Sequence, residues 1–330
     1  MRTWPRRDGG ATSGDIVSAS SAQSLPAAPS TPTVLPASNA AAEAGPSRAG
    51  LITSLVALYL IWGSTYLAIR WGLQGGLPPF LMSGSRFVLA GGVLFAALWL
   101  RGAPVPTPRQ WGSSALVGLL LLGVGNGGIV FAQQWVPSGV ASLVVGSLPM
   151  WTALFGGLFG QWPGRMERWG LAIGFVGIVL LNLGGDLGGQ WLPTVAMMLA
   201  PVSWAFGSMW SRRLDMPRGQ MSAAAQMLCG GTFMLGFSLV MGERLPTAMP
   251  EPRAVFSYFY LVIFGSLVGY SAYGYLLRHA RPSVATSYAY VNPVVAVLLG
   301  GLLAGELMRP MTWVAMAAIL GAVVLLTRKK

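Results

Sequence analysis

Arg86 is the one basic residue that falls inside an apolar run, seven positions into the stretch from Pro79 to Leu100. On a helix of about 1.5 Å rise per residue that is roughly 10 Å deep. An arginine near the centre of a bilayer costs about 2.5 to 3.5 kcal/mol on insertion scales, and such a residue usually faces a protein interior and binds something. Two readings stand. Arg86 anchors a carboxylate or phosphate of a ligand, or it snorkels to the headgroups or hydrogen-bonds a neighbouring helix end. No apolar run holds an Asp or Glu near its middle: Asp186, Glu243 and Glu306 fall at outer ends, and the single histidine, His279, stands beside Arg278 at the end of a run. A proton relay at depth needs such a group. Any energy coupling is therefore expected not to use a carboxylate at the midplane.

Aromatic and amide side chains also fall deep in apolar runs: Trp62, Tyr66, Asn126, Gln133, Trp151, Trp204, Tyr273, Tyr288, Tyr290 and Asn292. Aromatic faces hold apolar or cationic parts of a ligand and amides orient polar parts; the same residues also serve helix packing. Trp71, Trp99, Trp111, Trp169, Trp191 and Trp313 fall near run ends, where tryptophan anchors to the interface. Pro149 and Pro293 sit mid-run, and each removes a backbone donor and bends or breaks its helix. They are gating candidates, with a static bend as the alternative. The glycine pairs Gly156-Gly157 and Gly300-Gly301 suit close helix packing. Catalytic chemistry has little to stand on: there is no intramembrane aspartate pair, zinc motif or phosphate-binding loop, and no metal or cofactor is expected. One cysteine, Cys229, excludes an intrachain disulfide.

The elements that must position these residues are ten apolar runs, at 51–69, 79–100, 111–133, 139–161, 169–185, 191–210, 220–241, 254–276, 283–304 and 311–327. Each is about the length that spans a bilayer as a helix. Hydrophobic residues make up 54% of the 330 and charged residues 9%, with mean hydropathy +0.60, a balance foreign to soluble domains. The fold class is all-α membrane protein. Residues 140–182 laid over 284–326 without a gap give 12 identities in 43 positions, among them Pro149 with Pro293, Arg165 with Arg309, Trp169 with Trp313 and Gly177 with Gly321. Five runs per copy is an odd number, so the second copy inserts upside down relative to the first, which is how many transporters are built.

The net charge of +12 sorts by side rather than marking a nucleic-acid partner. With the amino terminus inside, 16 of the 21 basic residues lie inside, four (Arg70, Arg244, Arg253 and Arg309) lie outside, and Arg86 is within a run. The positive-inside bias then places both termini in the cytoplasm. Residues 1–48, rich in Ala, Ser, Pro and Thr, carry no run long enough to insert and are expected to form a disordered cytoplasmic tail. The expected organisation is that tail, a first five-helix repeat at 49–187 and a second at 188–330.

Trp62-Gly63-Ser64-Thr65-Tyr66 in the first run, Pro78-Pro79 and Arg86 in the second, and Asn292-Pro293 with Gly305-Glu306 in the ninth resemble the drug/metabolite transporter superfamily, its EamA branch, and within it the YedA-like bacterial inner-membrane members. The resemblance covers residues 51–327. It implies an inverted-repeat helical bundle around a central cavity that exports or exchanges small metabolites, amino acids or drugs. Trp162 stands where the family often ends the fourth helix with an acid, while its repeat mate is Glu306.

The function expected is a secondary transporter in the bacterial inner membrane, working by alternating access. Its substrate-binding candidates are Arg86, Trp62, Tyr66, Asn126, Trp151, Trp204, Tyr288 and Asn292. The partners are a small-molecule substrate and the lipid bilayer, with the chain a monomer or weak homodimer. A non-transporting membrane scaffold and a membrane-embedded enzyme are the alternatives.

Overall fold

A computed structural model describes residues 47–136, 138–182 and 191–304, with 314, 317–318 and 321–322. Residues 1–46 of the expected amino-terminal tail, Asp186, Glu306 and nearly all of the expected tenth span lie outside the described residues, while Ser47 and Arg48 begin the first helix.

Helix α1 (Arg48–Gln74) starts on the side chain of Ser47, which accepts from the Gly50 amide at 2.9 Å. Such a cap satisfies one of the amides that a helix start leaves bare. Helix α2 (Pro79–Leu100) follows a tight turn, with proline where its missing N–H costs nothing. The third span joins α3 (Pro108–Gly118), an eight-residue π-helical segment Leu119–Asn126, and α4 (Gly127–Ala132). Thr107 and Gln110 form a capping box at its start. The fourth run is broken: α5 (Ser138–Val145) ends at Gly146-Ser147, and α6 (Leu148–Leu158) begins there. Then come α7 (Arg165–Asn182), α8 (Trp191–Ser211) and α9 (Met221–Val240). The run at 254–276 repeats the pattern of the run at 111–133, with α10 (Pro252–Tyr260), a π-helical segment Leu261–Val268 of eight residues, and α11 (Gly269–His279). Helices α12 (Pro282–Ala285) and α13 (Tyr288–Ala304) complete the described part.

Among the described residues seven helical spans are long and apolar enough to cross a membrane: Arg48–Gln74, Pro79–Leu100, Pro108–Ala132, Trp191–Ser211, Met221–Val240, Pro252–His279 and Pro282–Leu303. Their ends interlock on two opposite faces. On the near face, where α1 begins, Arg213 donates to the Phe159 carbonyl at 2.6 Å, Arg212 to the Ala280 carbonyl at 3.0 Å and Gln110 to Asp215 at 3.2 Å. On the far face, the carboxylate of Glu243, just past α9, accepts from the amides of Phe80 at 3.1 Å and Leu81 at 2.7 Å and from Ser238 at 2.7 Å. It supplies the cap that Pro78 cannot give to α2.

The most extensive helix crossing is α2 on α9. A Cβ on Gly84 would stand 2.9 Å from the Gly231 carbonyl, and one on Gly231 would stand 2.9 Å from the Gly84 carbonyl. Only hydrogen fits between those backbones, the small-residue contact that holds helices together in lipid. The expectation for Gly157 differs from this: its Cβ would meet the ring of Trp162 in the following loop rather than another helix.

The two π-helical segments need explanation, because i to i+5 turns are rare and mostly confined to a single turn. In each, one carbonyl takes a side-chain donor from a leading helix. Ser203 of α8 donates to the Leu120 carbonyl at 2.8 Å, and Trp62 of α1 donates through Nε1 to the Gly265 carbonyl at 2.9 Å. Polar backbone at membrane depth is tolerated only where protein or water completes it.

Candidate central binding site

Between these segments lies a cavity of ≈ 80 Å³. An ordered water needs about 10 to 15 Å³ on the same measure, so the space holds several waters and is tight for a metabolite. Its polar wall is built by α2 and the end of the first π-helical segment. Arg86 is 3% exposed, and its Nη2 donates to Asn126 Oδ1 at 2.9 Å. Its Cζ lies 4.5 Å from the centre of the Phe87 ring, a cation–π contact. Its Nε and Nη1 have no hydrogen-bond partner. A guanidinium with two bare donors in a buried cavity is matched to an anionic oxygen, which pairs with its planar fork.

The opposite wall is aromatic. Trp62 stands edge-on to Trp204, ring centres 5.6 Å apart, and to Tyr288 at 4.8 Å, while Tyr273 packs on Trp62 at 5.4 Å and on Trp204 at 5.6 Å. Glycine at position 269 is required here, because a Cβ would run into Trp62 Nε1. Trp204 Nε1 and Asn292 Oδ1 are buried without partners. The cavity thus offers a donor from the indole, an acceptor from the amide and two donors from the guanidinium.

Of the residues singled out in the sequence, Trp62, Tyr66, Arg86, Asn126, Trp204, Tyr288 and Asn292 line this one cavity. Trp151 does not. It lies one turn beyond the wall residue Leu148 on α6, further toward the near face, and packs against the apolar core. Gln133 is buried behind the wall, donating to the Tyr66 carbonyl at 3.1 Å. Tyr273 is covered by the other rings and bonds Ser208 at 2.6 Å. Tyr290 turns away and packs its ring where the backbone of Gly174 on α7 leaves room. Pro149 stands in the first turn of α6 after the break rather than within a continuous bent helix, while Pro293 is inside α13. The cavity also draws on Thr65, Phe87, Gly265 and Tyr270, which the sequence reading missed. Thr65 follows from the others, one helical turn from Trp62 and Ile69 on the same face of α1. Tyr270 carried a usable signal, a tyrosine three residues before Tyr273 in a run that must face the same way.

The inner membrane transporter YedA of Escherichia coli (strain K12), itself uncharacterized, is 46% identical to this chain over 281 residues, covering 85% of this chain and 91% of the relative. A probable amino-acid metabolite efflux pump of the same organism is 26% identical over 301 residues, covering 84% and 92%. A probable terminal-alkyne amino-acid exporter of Streptantibioticus cattleyicolor is 28% identical over 286 residues, covering 84% and 93%. A protein solved by crystallography shares the fold, with TM-score 0.68 at 22% identity over 85% of this chain and 97% of its own. The profile of the EamA-like transporter family matches twice, over residues 49–183 and 191–328. This all-helical membrane protein, with aromatic and guanidinium groups around one internal cavity, belongs to the EamA-like transporter family, a family of transporters rather than enzymes.

Proposed function

We propose that the chain is a secondary carrier of the bacterial inner membrane that exports or exchanges small amphipathic metabolites bearing a negative group, amino acids among them. In this reading its ten helices form two inverted five-helix repeats, 49–187 and 188–330, both termini are cytoplasmic, and the halves rock about the central cavity. The observation that carries the substrate class is the pair of unpartnered donors on Arg86 inside that cavity. Arg86, held by Asn126, takes the anionic group; Trp62, Trp204 and Tyr288 take the apolar part; Asn292 and Tyr66 orient what is polar. Relatives named for amino-acid efflux and export support this choice over drugs. Pro293 and the break before Pro149 are the proposed points of bending.

The test is counterflow in proteoliposomes, with solutes chosen by a thermal-shift screen of amino acids and small carboxylates. A hydrogen bond to a charged group contributes about 1.5 to 3 kcal/mol, so Arg86→Gln should reduce transport by roughly 10- to 100-fold. Arg86→Lys should recover only part of it, lacking the fork. Unchanged kinetics in Arg86→Gln protein, with insertion intact, would remove the anchor.

A further inference from the structure

We propose that a second chamber on the near face is the antechamber through which an anion-bearing solute reaches the central cavity, and that Tyr270, hydrogen-bonded to Gln226, is the door between them. The solute class rests on the reading of Arg86 above; the path itself does not.

The chamber is ≈ 360 Å³, larger than the central cavity, and lies between the near-face ends of α8, α9 and α11. Two arginines, Arg212 and Arg278, stand at its rim, with no acidic residue among those lining it. Deeper in, its walls become uncharged and polar, with Ser211, Ser222 and Gln226. A concave site lined by one sign of charge concentrates counter-ions and raises their arrival rate. The order of residues from rim to floor therefore suits an anion shedding water in steps.

Tyr270 is shared. It lines both the near-face chamber and the central cavity and is only 2% exposed. Its hydroxyl donates to Gln226 Oε1 at 2.7 Å, and Gln226 Nε2 donates to Ser222 at 2.9 Å, so the ring is tied to α9 by a short polar chain. Behind it the aromatic cluster closes the rest of the floor, with Tyr270 6.3 Å from both Trp204 and Tyr273. One side-chain swing, breaking one hydrogen bond, separates the closed floor from a joined path. Tyr270 sits two residues past the second π-helical segment, where an irregular backbone turn allows a local rotation that a regular helix resists.

The test uses cysteine labelling and needs no metabolite. The chain has one cysteine, so a Cys229→Ser background with Thr65→Cys reports access to the central cavity. Membrane-impermeant sulfonatoethyl methanethiosulfonate (anionic) and trimethylammonioethyl methanethiosulfonate (cationic) are applied from the near side in vesicles of known orientation. Labelling should be slow in the parent and faster by about tenfold in Tyr270→Ala protein, as expected when a minor open state becomes the major one. Gln226→Leu, which keeps the ring and removes its tie, should give a smaller acceleration and decides the matter if Tyr270→Ala fails to insert. At low salt the anionic reagent should then outpace the cationic one by on the order of tenfold, and Arg212→Gln with Arg278→Gln should reduce that preference severalfold, leaving only what Arg86 inside the cavity contributes. No acceleration in either variant, or no preference for the anionic reagent, overturns the proposal. If labelling behaves as expected while Arg86→Gln leaves transport untouched, the anchor fails and the path stands.

Discussion

Asn126 holds one corner of a guanidinium whose other donors are bare, so the two side chains depend on each other. Removing a partner from a buried charged donor costs more than the bond was worth, about 1 to 3 kcal/mol. Asn126→Leu should therefore lower the thermal midpoint of the detergent-purified protein, whereas Arg86→Leu combined with Asn126→Leu should recover much of the loss while abolishing transport. Glu167 makes a different kind of contact, ahead of the apolar part of α7. Its carboxylate takes the Ser283 hydroxyl at 2.8 Å and the Gly164 amide at 2.8 Å, and lies 3.6 Å from Arg281. Burial pushes this carboxyl up, but the Gly164 amide, the Ser283 hydroxyl and the Arg281 charge outweigh it and hold it below its ordinary 4.5. A lowered folded-state value stabilises above the unfolded value and is lost as pH falls through the folded one. The difference in thermal midpoint between wild-type and Glu167→Gln protein should be flat above pH 4.5 and shrink below it. A difference that grows on acidification would reverse the assignment.

At the scale of helices, the two π-helical segments occupy matching places in the spans Pro108–Ala132 and Pro252–His279, after 11 and 9 residues of α-helix. Each rests on a side chain from a leading helix, Ser203 or Trp62. Trp62→Phe keeps a smaller aromatic ring and strips the donor to the Gly265 carbonyl; the expected loss is about 1 to 3 kcal/mol, read as a lower thermal midpoint. Gly269→Ala should do more, because the added carbon displaces the indole itself and with it the aromatic wall; ligand-induced thermal shift should vanish with it. Sequence made some of this legible and hid the rest for a physical reason. Arg86, Trp62 and Trp204 stood out because polar or bulky groups at depth in an apolar run are costly unless used. Nothing in Leu119–Asn126 or Leu261–Val268 spells a π-helix, since one widened turn follows from what packs beside it, not from its own composition. Depth along a run was readable, but rotation and neighbours were not. Trp151 was thus placed at the cavity when it lies past its edge, and Tyr290 when its ring meets α7. Glu243 read as an end-of-run charge; that it caps a helix far away in sequence needed the fold.

Over the whole molecule, a family match on each half agrees with a duplicated sequence, yet the charge lining the cavity is one-sided. Asn126 closes the first π-helical segment, whereas Val268 closes the second. In the proposed carrier a solute therefore binds in one orientation, with its charge toward α2. The acidic residues described, Glu167, Asp215, Glu243 and Glu251, all stand outside the helix middles. Transport in everted vesicles is accordingly expected to lose little on collapse of a proton gradient; strong dependence abolished only by a substitution in the helix core would count against this.

The reciprocal grip of Trp62 on Gly265 and of Ser203 on Leu120 has a consequence for how the chain can be divided. Severed in the linker between the two family matches, neither fragment owns the donor that its own widened turn requires. Produced apart, the fragments should be digested in the cell; produced together, they should find each other and survive.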